Sequence, residues 1–157
     1  MELTIIILGI ILDRLTKIWA TKELSSGENI VIIKDFFQFS YLENNGAAFG
    51  IFRDKSVFLI TITLVVVIGI IVYLFRYKPQ SKLLRMSLAF VISGAIGNLI
   101  DRIQYKYVVD FISLHYKDAY YFPIFNIADI LVTLGTLLLA LFVIKEDEYG
   151  EKRIFNK

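Results

Sequence analysis

The chain has 157 residues, 57% of them hydrophobic, and a formal net charge of +2. That length holds one domain, and 15% aromatic residues leave too much apolar surface for a disordered chain. The absence of Cys excludes disulfides, zinc–thiolate sites and cysteine nucleophiles, and a single His, His115, excludes multi-His metal sites. Near-neutral charge without a long basic run leaves no electrostatic footprint for a nucleic acid.

Residues 2–20 (ELTIIILGIILDRLTKIWA) form the first candidate span, an apolar run interrupted by Asp13, Arg14 and Lys17. No basic region precedes it and no small-residue cleavage site follows, so it reads as a retained span and not as a signal peptide. In the loop 21–55, residues 30–42 (IVIIKDFFQFSYL) are rich in Ile, Val, Phe and Tyr. Phe37, Phe39 and Tyr41 alternate with Gln38 and Ser40, the period of a half-buried strand, and Asn44-Asn45-Gly46 is a turn signal. A small sheet on the outer membrane surface is expected there. Residues 56–75 (SVFLITITLVVVIGIIVYLF) carry no charge. As a helix they span about 30 Å, one bilayer core. Residues 83–102 are apolar after Arg85 and end at Asn98, Asp101 and Arg102. The loop 103–123 carries Asp110, and the last span, 124–144, has Asn126 and Asp129 in its first turns. The expected fold is an all-α polytopic membrane protein: one domain over 1–157, four transmembrane helices and a small extracytoplasmic β element.

Lys and Arg set the orientation. The connector holds Arg76, Lys78, Lys82 and Arg85 without an acid, and the tail holds Lys145, Lys152, Arg153 and Lys157. Basic residues are denser there than in the two long loops, which puts connector, tail and both termini in the cytoplasm. Asp13, Asn98, Asp101, Arg102, Asp110, Asn126 and Asp129 then converge near the outer face. Ionisable groups at membrane depth are costly and face a bundle interior or a wet cavity, so such a cluster marks a candidate site.

Two carboxylates stand out, Asp110 in Val-Val-Asp-Phe and Asp129 in Phe-Asn-Ile-Ala-Asp. Two close acids do not both ionise cheaply; one keeps a proton, the other acts as a base, and a water between them attacks a peptide carbonyl. Each feature also has a plainer reading. Asp129 complements the positive end of a helix, Asp110 is a solvated loop acid, and Asp101 and Arg102 form an interfacial ion pair. Asp13 pairs with Lys17 one turn on, Ser93, Gly94, Ala95 and Gly97 are helix-packing positions, and Trp19, Tyr73, Tyr105 and Tyr107 are interfacial anchors. A proton-coupled carrier using the same acids as a relay is the rival from another class, and a membrane scaffold without chemistry is a third reading.

Five patches resemble the bacterial lipoprotein signal peptidases, the signal peptidase II family. They are Asp13-Arg-Leu-Thr-Lys17, Asn44-Asn-Gly-Ala-Ala-Phe49, Gly94-Ala-Ile-Gly-Asn-Leu-Ile-Asp-Arg102, Val108-Val-Asp-Phe111 and Phe122-Pro-Ile-Phe-Asn-Ile-Ala-Asp129. They run in order from residue 13 to residue 129. The resemblance implies an intramembrane aspartic endopeptidase of the bacterial cytoplasmic membrane. Such an enzyme removes the signal peptide from prolipoproteins, cutting just before a diacylglyceryl-modified Cys. It implies Asp110 and Asp129 as the catalytic pair and Asn44, Asn98, Arg102 and Asn126 along the substrate path, with Asp13, Lys17 and Asp101 in support. No metal or organic cofactor is implied; the partners implied are the lipidated precursor, membrane lipids and globomycin-type inhibitors. The chain departs from the pattern at Lys106, where many members have Gly two residues before Val-Val-Asp-Phe.

Overall fold

A helix in lipid reverses the usual amphipathic logic, with polar groups turned inward and apolar ones outward. The first helix, α1 (Glu2–Leu24), follows it in the computed structural model: its buried residues are Gly9, Asp13, Lys17, Ala20 and Leu24. These recur every third or fourth position and so form one stripe. Leu3, Leu8, Leu12 and Leu15 point outward. The structure describes residues 1–47, 51–117 and 119–155, with side chains up to Glu146; Ala48 and Phe49 of the second motif and the side chains of Lys152, Arg153 and Lys157 in the tail lie outside the described residues.

The second helix, α2 (Ser56–Tyr77), fully buries only Val67; Leu59, Ile60, Ile70 and Leu74 are half-buried, and side chains such as Val57, Val65 and Phe75 are exposed. The third, α3 (Lys82–Tyr105), is the spine of the bundle and packs against α1, α2 and α4 (Ile127–Phe155). Among the described residues, three helical segments are long and apolar enough to cross a membrane: Ser56–Tyr77, Lys82–Tyr105 and Ile127–Glu146. Small residues permit the close crossings. A Cβ on Gly94 would strike the Ala128 carbonyl oxygen, and one on Gly97 would lie 2.6 Å from Asp13 Oδ2. At the opposite end, Arg85 grips Glu2 through Nε and a terminal nitrogen, each 2.8 Å from a carboxylate oxygen, and ties the starts of α1 and α3 together.

The expected strand over 30–42 is a hairpin. Its strands β1 (Ile30–Ile33) and β2 (Phe37–Asn44) pair antiparallel. Lys34 and Asp35 form the turn, with Asp35 in the left-handed region at φ 61° and Phe36 N–H donating to the Ile33 carbonyl. The sheet is larger than the sequence suggested. The loop after α3 contains β3 (Val108–Tyr116), which pairs antiparallel with β2, and β4 (Tyr120–Tyr121) completes the order β1-β2-β3-β4. β3 is rich in β-branched and aromatic residues, a composition that fits a half-buried strand. Its Val109 and Phe111 pack with Ala20 and Leu24 of α1. Trp19, expected as an interfacial anchor, lies edge-on to Phe39 at 5.1 Å and to Phe111 at 6.1 Å, beneath the sheet.

The last helix begins at Ile127 and not at 124. The backbone before it belongs to the sheet: Phe125 and Ile112 exchange N–H···O bonds of 3.1 and 2.8 Å. Lys106 closes α3 in the left-handed conformation at φ 72°, its N–H bonded to the Arg102 carbonyl. A side chain at such a position costs about 1–2 kcal/mol, which accounts for a preference for Gly there. Lys106→Gly is therefore expected to stabilise the protein by about 1 kcal/mol, after the larger backbone entropy of Gly in the unfolded chain is counted. A higher thermal midpoint in detergent than that of the unsubstituted chain is the measurement that checks it.

Candidate active site

The site is assembled at the first turn of α4. Asn126 precedes the helix and Asp129 is its third residue. Asn126 Oδ1 accepts the Asp129 N–H at 2.9 Å, while Asp129 Oδ2 accepts the Asn126 N–H at 3.2 Å. This reciprocal capping box satisfies two otherwise unpaired backbone donors and fixes both side chains. The Asn126 NH2 group remains free to turn toward β3 and donates to Asp110 Oδ1 at 2.6 Å. Asn126 is thus bonded to both carboxylates.

Asp110 sits on β3 opposite Leu42 of β2, and two residues along that pairing Asn44 opposes Val108. Asn44 Nδ2 donates to Asp110 Oδ2 at 2.9 Å, and its own Oδ1 accepts the Gly46 N–H at 2.9 Å. Asp110 is not a solvated loop acid; it is 1% exposed. Burial, and then the charge of Asp129, push its carboxyl up to about 7, against the opposing hydrogen bonds from Asn44 and Asn126.

From α3, Asn98 Nδ2 donates to Asp129 Oδ1 at 2.8 Å. Arg102, one turn further, donates to the Gly46 carbonyl at 2.9 Å and so holds the Asn44 turn over the site. Asp101 does not pair with Arg102. Consecutive helix positions diverge by about 100°, and Asp101 faces α1, where it meets Arg14 at 2.6 Å and Lys17 at 2.9 Å. Lys17 also lies 2.9 Å from Asp13 Oδ2 and donates to Asn98 Oδ1 at 2.9 Å. The pairing of Asp13 with Lys17 one turn on is present, and Asp13 does more: its Oδ1 accepts the Ala128 N–H of α4 at 2.9 Å.

All nine residues singled out in the sequence therefore lie in one connected set of polar contacts. Arg14 joins the set through Asp101, and its signal in the sequence is a third charge, between Asp13 and Lys17, in an apolar helix. His115 lies away from the set and stacks on Tyr121 at 5.1 Å. Among the described residues, no group of three or more His, Cys, Asp or Glu side chains is gathered to hold a metal ion. An apolar groove of about 420 Å³ between α2, α3 and α4, lined by residues such as Val65, Leu84, Leu139 and Phe142, contains none of the nine residues.

Apolar helices closed at one end by a sheet, with two carboxylates held among side-chain amides, define a membrane protein built around an acid pair. Residues 5–145 match the family described as Signal peptidase (SPase) II. The chain is 66% identical to a lipoprotein signal peptidase of Clostridium tetani, over 99% of this chain and 100% of that one. It is 62% identical to a lipoprotein signal peptidase of Clostridium novyi, over 93% and 99% of the respective chains. A solved bacterial membrane enzyme superposes with a TM-score of 0.83 at 32% identity, covering 93% of this chain and 88% of its own. The chain belongs to the signal peptidase II family and is a membrane-embedded bacterial protein.

The position of Asp110 has a consequence for stability. Its folded value of about 7 lies above its ordinary 3.8, so the folded state binds its proton more tightly than the unfolded chain does. This contribution is fully present below about pH 4 and is lost as pH rises through 7. Asp110→Asn, which cannot ionise, is expected to flatten that decline. Relative to the unsubstituted chain its thermal midpoint should rise between pH 5 and pH 8; a constant difference would contradict the buried, proton-retaining Asp110.

Proposed function

We propose that this chain, which removes signal peptides from prolipoproteins, does so as an aspartic endopeptidase acting on diacylglyceryl-modified precursors, with Asp110 and Asp129 as its catalytic pair. Membership of the signal peptidase II family supports the substrate class. The observation that carries the catalytic assignment is Asn126, which joins the two carboxylates through bonds of 2.6, 2.9 and 3.2 Å.

In this reading the pair shares one proton and titrates as a unit. The ionised carboxylate takes a proton from a water molecule as the water oxygen bonds to the scissile carbonyl carbon. The protonated carboxyl gives its proton to the carbonyl oxygen, which produces a neutral tetrahedral diol. In collapse, the carboxyl that received the water proton gives it to the leaving nitrogen. The C–N bond breaks, and a diol hydroxyl returns its proton to the other carboxylate. Atoms and protons balance without a metal or organic cofactor. Asn44, Asn98, Arg102 and Asn126 line the path of the peptide, while Asp13, Lys17 and Asp101 support them. Membrane lipids surround the single domain, and globomycin-type inhibitors compete for the path.

The cut falls just before the lipidated Cys because lipid sets the depth of the scissile bond. Each buried CH₂ of an acyl chain contributes about 0.8 kcal/mol of anchoring. A cleavage assay with lipidated and unlipidated precursors in the same detergent tests both halves of the reading. Asp110→Asn and Asp129→Asn are each expected to lower kcat by about 10²–10⁴ while remaining folded. The unlipidated precursor is expected to show a much lower kcat/KM. Turnover by either variant near that of the unsubstituted enzyme would remove the pair from catalysis, and equal kcat/KM for the two precursors would remove the lipid from recognition.

The proposed topology has four spans, both termini in the cytoplasm and the site near the outer face. Support for α1 as the fourth span comes from its length, from Glu2 to Leu24, and from Asp13 and Lys17, which are buried to within 1% and paired. The chain has no Cys, so single thiols report sidedness. Glu28→Cys is expected to react with an impermeant thiol reagent on intact spheroplasts and Gln80→Cys to be protected. The reverse pattern would invert the orientation.

A further inference from the structure

The oxygen and nitrogen of a carboxamide are nearly identical in shape, so neighbours decide which end faces a carboxylate. Three carboxamides surround the acid pair, and each has a partner at its oxygen that can only donate. For Asn44 that partner is the Gly46 N–H, and for Asn126 it is the Asp129 N–H. For Asn98 it is the Lys17 ammonium. The first two belong to the backbone; the third is a side chain reaching across from α1.

On the reading that Asp110 and Asp129 are the catalytic pair, we infer that Lys17 is a positioning residue: it locks the Asn98 carboxamide with NH2 on Asp129, and so favours Asp129 as the charged base. The ammonium is 1% exposed and faces three acceptors, Asp13 Oδ2, Asp101 Oδ2 and Asn98 Oδ1, each at 2.9 Å. It hydrogen-bonds Asn98 Oδ1 and is neutralised by ion pairs with the two carboxylates. The other donor at Asn98 Oδ1 is Asn126 Nδ2 at 3.1 Å, which also faces Asp110 Oδ1 at 2.6 Å and the Val109 carbonyl at 3.3 Å. Two hydrogens shared among three acceptors do not hold Asn98 on their own. With its oxygen held by Lys17, Asn98 has only its NH2 to offer Asp129 Oδ1, at 2.8 Å.

The surroundings favour the same role for Asp129. The titratable and charged groups around it are Asp110 from β3, Arg102 and Asp101 from α3, and Asp13 and Lys17 from α1. Asp129 lies in the first turn of α4, where the helix favours negative charge. Asp110 is buried on its strand and retains its proton up to about pH 7.

The test is the pH dependence of kcat and KM for the full-length enzyme in detergent on the lipidated precursor. Asp13→Asn combined with Lys17→Gln removes the ammonium together with one of its counter-charges, so no new buried charge is left unpaired. This double variant is expected to lose on the order of tenfold in kcat near neutral pH, with KM little changed. The acid limb of its kcat profile should move up by about one pH unit. Lys17→Arg, which again presents only donors, should keep the acid limb of the unsubstituted enzyme. A folded double variant with an unmoved acid limb overturns the proposal, as does Lys17→Arg shifted like the double variant. If the double variant shows no thermal transition, Asn98→Ala, which leaves the Lys17 ion pairs in place, carries the same test: an unmoved acid limb overturns the inference. Failure of the catalytic pair itself is read separately, from activity retained by Asp110→Asn or Asp129→Asn.

Discussion

Charge placed at membrane depth must be fully partnered, and the junction of α1, α3 and α4 is built on that constraint. Asp13, Lys17 and Asp101 are each no more than 1% exposed. Removing one partner of such a buried cluster typically costs about 3–5 kcal/mol, because the remaining charge has no water to turn to. The cluster therefore sets the relative positions of the three helices. Asp13 bonds the first turn of α4, Asp101 holds Arg14 and accepts the Val109 N–H at 3.2 Å, and Lys17 reaches Asn98. Glycines complete the arrangement, since Gly97 leaves room for the Asp13 carboxylate.

The sheet depends on the same junction. β3 leaves α3 through the left-handed Lys106, and its Val109 N–H is tied to Asp101. β2 then brings Asn44 to Asp110 from 66 residues away in sequence. The Phe111, Phe39 and Trp19 rings seat the sheet on the end of α1. A strand is a stiffer support than a loop, and the Asp110 carboxylate, bonded at both oxygens, is held accordingly.

The carboxamides are matched to a pair of acids. A water-filled pocket would solvate both carboxylates equally and let both ionise. Amides with pinned oxygens instead offer directed N–H donors at fixed places, a preorganised polar environment of the kind that stabilises developing charge without reorganisation. Asn126 serves folding and the site at once, capping α4 through its oxygen and reaching Asp110 through its nitrogen. The proposed chemistry and the stability of the helix start thus draw on the same residue.

The sequence by itself determined the membrane character, the helical class and the family. A twenty-residue run without charge, 56–75, has one reasonable environment, and that conclusion needs only local composition. A half-buried strand was legible from the alternation Phe37, Phe39, Tyr41, and seven of the nine polar residues from their placement near one membrane face; Asn44 and Lys17 became site residues only through the resemblance. What only the tertiary structure decided are the partners. β3 is not legible in the sequence because its pairing strand is distant, and strand pairing is a non-local event. The start of α4 moved from 124 to 127 because Phe125 is bridged to Ile112, a contact invisible to periodicity. Asp101 turned to Arg14 and Lys17 and away from the adjacent Arg102, since helix geometry separates neighbours in sequence and joins residues across helices. Composition specifies which groups must be buried and paired; only the packed backbone specifies with whom.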